Sequence, residues 1–291
     1  MFDPQKQHDQ LEAYLSRSLG ETVRLVHAGR LAKSTREAPW RLEVEAGGER
    51  RAYVLRLDSR GIENEYRILH ALDGLPVPAP RAYGWDPAGE ALGEACFFSD
   101  FIEGESLLGP MLRGEAWAED VYLEAVCALA VVTERDLAGV AVESESAIDI
   151  LEDAWAFFRE QPHPLAERAY LALKTRAPQF PALRFSNGDL WLDNFLVRDG
   201  RLAGVIDFAN AGFSDPLYEF LLSFFVEPGL RGRGTEARYC RRVGCDPAVL
   251  AWYHGLEYFD TWRWVRHSGT PFVQHSDESL QRDLAAWLDR G

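Results

Sequence analysis

Residues 187–197, NGDLWLDNFLV, and residues 204–212, GVIDFANAG, decide how this chain is read. Both are short apolar runs interrupted by acids and amides. Asp189, Asp193, Asn194 and Asp207 stand among Leu, Trp, Phe, Val and Ile. A carboxylate among groups that favour burial costs free energy unless it is paired, hydrogen-bonded or bound to a cation. Turn and capping chemistry accounts for single Asp and Asn residues in such places. Asn194 follows Asp189 by five positions and Asp207 follows Asn194 by thirteen, and three such groups together point to a working site. Mg²⁺ favours hard oxygen ligands and takes only one or two carboxylates from the protein, completing its shell with phosphate and water. An Asn amide oxygen and an Asp carboxylate, each at the end of a short apolar strand, suit that ion. A separate Asp on the same loop suits an attacking hydroxyl. This is the division of labour of phosphoryl transfer, where positioning and charge stabilisation do most of the work.

The rest of the composition narrows the partners. The chain has 291 residues, 47% of them hydrophobic and 26% charged, which is enough for two modest domains or one two-lobed one. The net charge is -15 and unevenly placed: residues 1–101 hold 13 Lys/Arg against 16 Asp/Glu, residues 102–291 hold 18 against 30. Such a chain repels nucleic acid and anionic membrane, both of which need a basic footprint. A cationic small molecule is permitted, although a solvated acidic surface accounts for the same charge. No uncharged run is long enough to span a bilayer. The first residues, MFDPQKQHDQ, lack the basic flank and apolar core of a signal peptide, so a cytoplasmic location is expected. Cys96, Cys127, Cys240 and Cys245 have no zinc-type spacing and are expected as reduced, buried or half-buried thiols.

Along the chain, QLEAYLSRSLG predicts a helix closed by Gly20. RLEVEAGGERRAYVLRLD predicts two strands around a turn at Gly47 and Gly48. GIENEYRILHAL puts Ile62, Tyr66 and Leu69 on one helical face with Glu65 beside it, and a proline-rich loop follows. CFFSDFIEGESL reads as an apolar strand running into Gly104. Beyond it, EAWAEDVYLEAVCALAVVTERDL and SAIDILEDAWAFFREQ read as long helices, the first with a core stripe from Val121 to Val132. The tail from Pro216 reads as helices rich in aromatic residues. The fold class is therefore α+β, a two-lobed protein hinged near residues 98–104.

Asp-Leu-x-x-x-Asn followed by an Asp in an apolar strand resembles the kinase catalytic loop and its metal-binding partner. The fuller text, NGDLWLDNFLV with VIDFANAGFSDPLYEF, resembles the aminoglycoside phosphotransferase and choline kinase family of small-molecule kinases. AYVLRL, ENEYRILHAL with PVPAPRAYG, and CFFSDFIEG follow in the family's order. The resemblance implies a protein-kinase-like fold with a small β-rich N-lobe and a larger, mainly helical C-lobe. It implies a nucleotide-binding lobe at 1–101 and a catalytic and substrate-binding lobe at 102–291. It makes Asp189 the catalytic base or hydroxyl-orienting group, with Asn194 and Asp207 on Mg²⁺ and ATP or GTP as co-substrate. Glu65 would partner a phosphate-binding base, and HAGRLAKST, with Gly29, Lys33 and Ser34, would cover the phosphates. Backbone groups from Ser99 to Phe101 would meet the base edge, and Asp215 would play a structural part. The acceptor implied is a hydroxyl of an amino sugar, a choline-like amine or an amino alcohol. A member that binds nucleotide or a partner without catalysis is the alternative, and a metal-dependent phosphohydrolase is a third reading that lacks a second carboxylate cluster.

The family's text is not kept everywhere. Asn187 replaces the histidine that opens the loop and braces it, Arg56 stands at the strand lysine, and Ser214 and Glu219 stand where Gly and Asp are usual. The first 101 residues contain two lysines, Lys6 and Lys33, which raises the idea that Lys33 and Arg56 share the phosphates. In the tail, Trp252, Tyr258, Trp262 and Trp264 suggest a cage for a quaternary ammonium, assisted by Glu257 and Asp260. At helical spacing the same rings serve equally as core.

Overall fold

The computed structural model describes residues 2–31, 39–57 and 61–290. The N-terminal lobe opens with α1 (His8–Leu19), closed by Gly20 as expected. A five-stranded antiparallel sheet follows: β1 (Val23–Arg30), β2 (Trp40–Ala46), β3 (Glu49–Leu57), β4 (Ala82–Asp86) and β5 (Cys96–Asp100), in the order β1-β2-β3-β5-β4. Helix α2 (Ile62–Leu72) lies between β3 and β4 in sequence. Ala46 pairs with Glu49, and Gly47 and Gly48 take φ of 58° and 84°. Both central residues of this two-residue turn are left-handed, a conformation glycine adopts without a Cβ clash.

Alternation along the strands builds two cores. Leu42, Val44, Tyr53, Leu55, Cys96 and Phe98 face α1 and form the smaller one. Phe97 points to the opposite face and joins Ile68, Leu69 and Leu72 of α2 in the larger core of the other lobe. The helix that carries Glu65 is thus packed with the helical lobe.

That lobe contains β6 (Glu105–Ser106), α3 (Leu108–Arg113), α4 (Ala118–Leu129), β7 (Ser144–Glu145), α5 (Ala147–Glu160), α6 (Pro164–Thr175), β8 (Arg184–Ser186), β9 (Phe195–Arg198), β10 (Arg201–Val205), β11 (Gly212–Ser214), α7 (Pro216–Val226), α8 (Thr235–Arg242), α9 (Leu250–Ser268) and α10 (Asp277–Arg290). Two small sheets, β10-β9-β6 and β7-β11-β8, sit among the helices. The protein is a two-lobed α+β fold of the protein-kinase type. Among the described residues, no helix is long and apolar enough to cross a membrane.

Three local expectations need correction. His27 to Arg30 do not open the loop but continue β1, paired with Glu43 to Trp40. The long helix expected through residue 137 stops at Leu129. Two β-branched valines follow, and Thr133 closes a turn on the Asp136 carboxylate through its N–H at 2.8 Å and its hydroxyl at 2.7 Å. Helix α6 is an addition to the expected elements, although Pro164 at its first turn and Ala166, Ala169 and Leu173 on its buried face carry the signal.

Candidate active site

Strand β8 delivers the chain to Asn187, which is completely buried. Its amide nitrogen donates to the carbonyls of Asp189 at 3.0 Å, Ile206 at 3.1 Å and Asp207 at 3.3 Å. One short side chain thereby ties the loop to the strand end that carries Asp207, the bracing expected of a histidine there. Three carbonyl acceptors fix the orientation of the amide and leave Oδ1 buried without a partner among the described residues. Gly188 follows with φ of 76°, and a Cβ on it would lie 2.0 Å from the Asn210 carbonyl oxygen. Only glycine fits where these two segments touch.

Further donors lie beneath the loop. The Leu190 carbonyl accepts from Tyr122 Oη at 2.7 Å and from Ser223 Oγ at 2.8 Å, both buried. Ser186 Oγ accepts from Gly188 N–H at 2.9 Å and donates to Glu219. Asp193 accepts from the Ser106 hydroxyl and from Trp191 Nε1 at 3.2 Å, so it ties the loop to β6. Sequence reasoning misses the buried Tyr122, Ser186 and Ser223 and the half-buried Ser106, because a lone hydroxyl carries no periodic or motif signal.

The loop brings Asp189, Asn194 and Asp207 together. Asn194 closes a one-turn 3₁₀ helix, Leu192–Asn194, and donates from Nδ2 to the Asp189 carbonyl and to Asp189 Oδ2, each at 3.0 Å. Its Oδ1 is therefore the atom turned away from Asp189. The Ile206 N–H donates to the Asn194 carbonyl at 2.9 Å, so the next residue, Asp207, lies alongside. Asp207 has φ of 62°, rare for a residue with a Cβ and worth about 1–3 kcal/mol of strain. Among the described residues, no group of three or more His, Cys, Asp or Glu is arranged to hold a metal alone. Mg²⁺ does not need such a cage, and the hard oxygens of Asn194 and Asp207 fit it.

On the other lobe, Arg56 of β3 reaches Glu65 of α2, Nη2 to Oε1 at 2.9 Å, with the two side chains 19% and 4% exposed. This is an arginine version of a strand–helix ion pair. Ser99 and Phe101, expected at the base edge, are held inside the sheet: Ser99 pairs with Val54 and Ala82, while Asp100 and Phe101 N–H donate to the Arg81 and Ala52 carbonyls. Among the described residues, the backbone N–H groups of Ile102 and Glu103 make no such bond. The unengaged backbone N–H groups of this strand end are thus those of Ile102 and Glu103. Gly29 lies on β1 opposite Arg41, while Lys33 and Ser34 lie outside the described residues.

Acidic residues gather around Glu145 in the helical lobe. Partial desolvation and the carboxylates of Asp260, Asp153, Asp149 and Glu143 push Glu145 above its usual range. Burial pushes the Glu219 carboxyl up to about 7 against the hydroxyl of Ser186, with Asp189 and Glu145 adding repulsion. Asp260 accepts from Tyr218 Oη at 2.7 Å and from Arg263. Asp215 caps α7, accepting from the N–H groups of Leu217 and Tyr218, and takes Tyr253 Oη at 2.8 Å. Two expected acceptor contacts are corrected. Trp262 is fully buried against Phe158 with its N–H on Asp277, and Glu257 is buried with Arg231 and His254. The four-ring cage does not form, because Trp252 and Trp264, twelve residues apart on one helix, pack against Phe180 and Phe272 respectively.

The family model described as phosphotransferase enzyme family matches residues 38–267. Among solved structures, a candidate aminoglycoside phosphotransferase of Ralstonia eutropha JMP134 superposes with a TM-score of 0.71 at 17% identity, over 99% of this chain and 97% of that one. A thermostable mutant of aminoglycoside phosphotransferase APH(4)-Ia, in ternary complex with ADP and hygromycin B, gives 0.64 at 18% identity over 97% and 99%. The GDP and kanamycin complex of APH(2″)-IIIa gives 0.61 at 18% over 91% and 93%. At these identities the likeness is one of fold. No curated protein sequence matches the chain.

Proposed function

The chain belongs to the phosphotransferase enzyme family, and from that premise we propose that it transfers the γ-phosphoryl group of ATP or GTP to a hydroxyl of a small cationic acceptor. The observation that carries the reading is the arrangement around Asp189. Asn194 holds Oδ2 of Asp189 with its Nδ2 at 3.0 Å, and its Oδ1 is left for a cation. In this reading Asp189 orients the acceptor hydroxyl and receives its proton. The acceptor oxygen bonds to the γ-phosphorus as the bond to the β–γ bridging oxygen breaks. Mg²⁺, held by Asn194 and Asp207, would neutralise charge on the phosphates. Arg56, aimed by Glu65, would grip a phosphate through its planar fork.

The lobe at 1–101 would carry the nucleotide, with Ile102 and Glu103 at the base edge, and 102–291 would carry catalysis and the acceptor. The carboxylates of Glu145, Asp149, Asp153 and Asp260 support an amino sugar, a choline-like amine or an amino alcohol. The reaction belongs in the cytoplasm, where the nucleotides are and where the four free cysteines stay reduced.

Thermal melting with Mg²⁺ and ATP or GTP tests this reading. Ligand at about 100 times its Kd stabilises a fold by about 2.7 kcal/mol. For a chain of this size that is a rise in Tm of about 4–5 °C. The rise is expected only with Mg²⁺ and is expected to vanish in Asp207→Asn. No rise with either nucleotide favours a member that has lost its chemistry.

A further inference from the structure

A cavity of about 500 Å³ opens where α6, α9 and α10 meet the turn after α7, a size typical of small-molecule sites. Asp189, Asn194 and Asp207 do not line it. Four basic side chains do: Arg176 just past α6, Arg231, His254 on α9 and Arg290 at the end of α10. Among the described residues, no Asp or Glu lines it, in a chain of net charge -15. Tyr258 and the small exposed parts of Trp252 and Trp287, 5% and 8% respectively, supply apolar wall. Both indoles are fixed, Trp252 Nε1 donating to the Leu173 carbonyl at 2.8 Å and Trp287 Nε1 to that of Ala251 at 2.7 Å.

Two of the bases are aimed from behind. Glu257 is 2% exposed, and its Oε2 meets Arg231 Nη2 and His254 Nδ1, each at 3.0 Å. Arg231 Nε also donates to the Phe224 carbonyl at 2.9 Å. An arginine held by two fixed acceptors has already lost the rotamer freedom that weakens a mobile surface arginine as a ligand. Among the described residues, no protein group engages Arg231 Nη1 or His254 Nε2. Guanidinium forks suit planar oxyanions, and the aromatic wall suits an apolar body.

We propose that this cavity is a second ligand site for a small organic anion, its apolar body against Tyr258 and the exposed parts of Trp252 and Trp287 and its acid group on the arginines. The site is separate from the phosphoryl-transfer centre and carries the opposite charge to the acidic residues around Glu145 in the same lobe.

Titration calorimetry of the full chain with naphthalene-1-sulfonate tests the proposal, since this probe is flat, permanently anionic and offers no hydroxyl to phosphorylate. One saturable site is expected, with affinity unaffected by Mg²⁺ and ATP. Arg176→Gln with Arg290→Gln, two exposed positions, is expected to weaken binding about tenfold, and Arg290→Gln alone to weaken it less. Uncharged 1-naphthol is expected to bind about tenfold more weakly than the sulfonate. The proposal fails if the probe shows no saturable binding, if Mg²⁺ and ATP displace it, if the double variant binds it as the wild type does, or if 1-naphthol binds equally well.

Discussion

Around Asp189 the chain is fastened from several sides: Asn187 binds the Asp189 carbonyl, Tyr122 and Ser223 bind that of Leu190, and Ser186 takes the Gly188 N–H. Across the cleft, Arg56 is fastened by its ion pair with Glu65. The first arrangement spreads the cost of positioning over many bonds anchored in a large core. Each is worth about 1 kcal/mol net and far more to leave half-made. The second concentrates that cost in one charged pair between the middle strand of the smaller lobe and a helix packed on the larger core. Loss of a brace should therefore act on rate and stability, and loss of the ion pair on nucleotide affinity.

The largest expected effect lies on the concentrated side. Arg56→Gln removes a charged donor and leaves Glu65 facing a neutral amide, so KM for the nucleotide should rise about 10–100-fold, with a smaller change in kcat. A fall in kcat at unchanged KM would erase the distinction between the two regions. Next comes Asn187→Ala, which strands the Ile206 and Asp207 carbonyls. Stability should drop by about 1–3 kcal/mol in denaturant unfolding and kcat by about tenfold, with nucleotide affinity preserved. If Asn187→His restores kcat, bracing is the function of the position whatever residue performs it.

The smallest effect sharpens the comparison by asking what the braces cost. Burial raises the Glu219 carboxyl from an ordinary 4.5 to about 7. Between those values the folded chain holds that proton more tightly than the unfolded chain. Stability from this group therefore falls as pH rises through the window and stays low above it. Glu219→Gln should flatten that fall and match or exceed the wild-type Tm at about pH 8. If the drop in Tm between about pH 5 and about pH 8 is the same in both proteins, Glu219 is not the group that titrates.

What the sequence discloses follows from where physical constraints repeat. Leu42, Val44, Tyr53 and Leu55 alternate because one face of the sheet is buried, so the hairpin is readable. That Asp189, Asn194 and Asp207 lie together is readable because turns and caps place such groups singly, whereas here three recur at fixed spacing in apolar text. The Tyr122 and Ser223 hydroxyls are not, since each looks like an ordinary helix residue until the Leu190 carbonyl lies above it. Helix α4 reads too long in the sequence because the apolar spacing continues to Val132, which is buried but lies beyond the helix end. The pairing of Ser99 to Phe101 is not readable for the converse reason: a strand's sequence does not reveal which N–H groups its neighbours have already taken. The Arg231–Glu257–His254 cluster is hidden inside a tail whose aromatic rings carry the stronger signal.

Asp207 sits at φ of 62°, where glycine would be at ease. A selection for heat resistance alone would find this residue early, because Asp207→Gly relieves backbone strain worth about 1–3 kcal/mol, against about 0.5–1 kcal/mol of extra chain entropy lost by glycine. The same step would delete the proposed cation ligand. Breeding this protein for toughness without screening for turnover would favour a sturdier molecule with less chemistry, and the conflict would surface at this position.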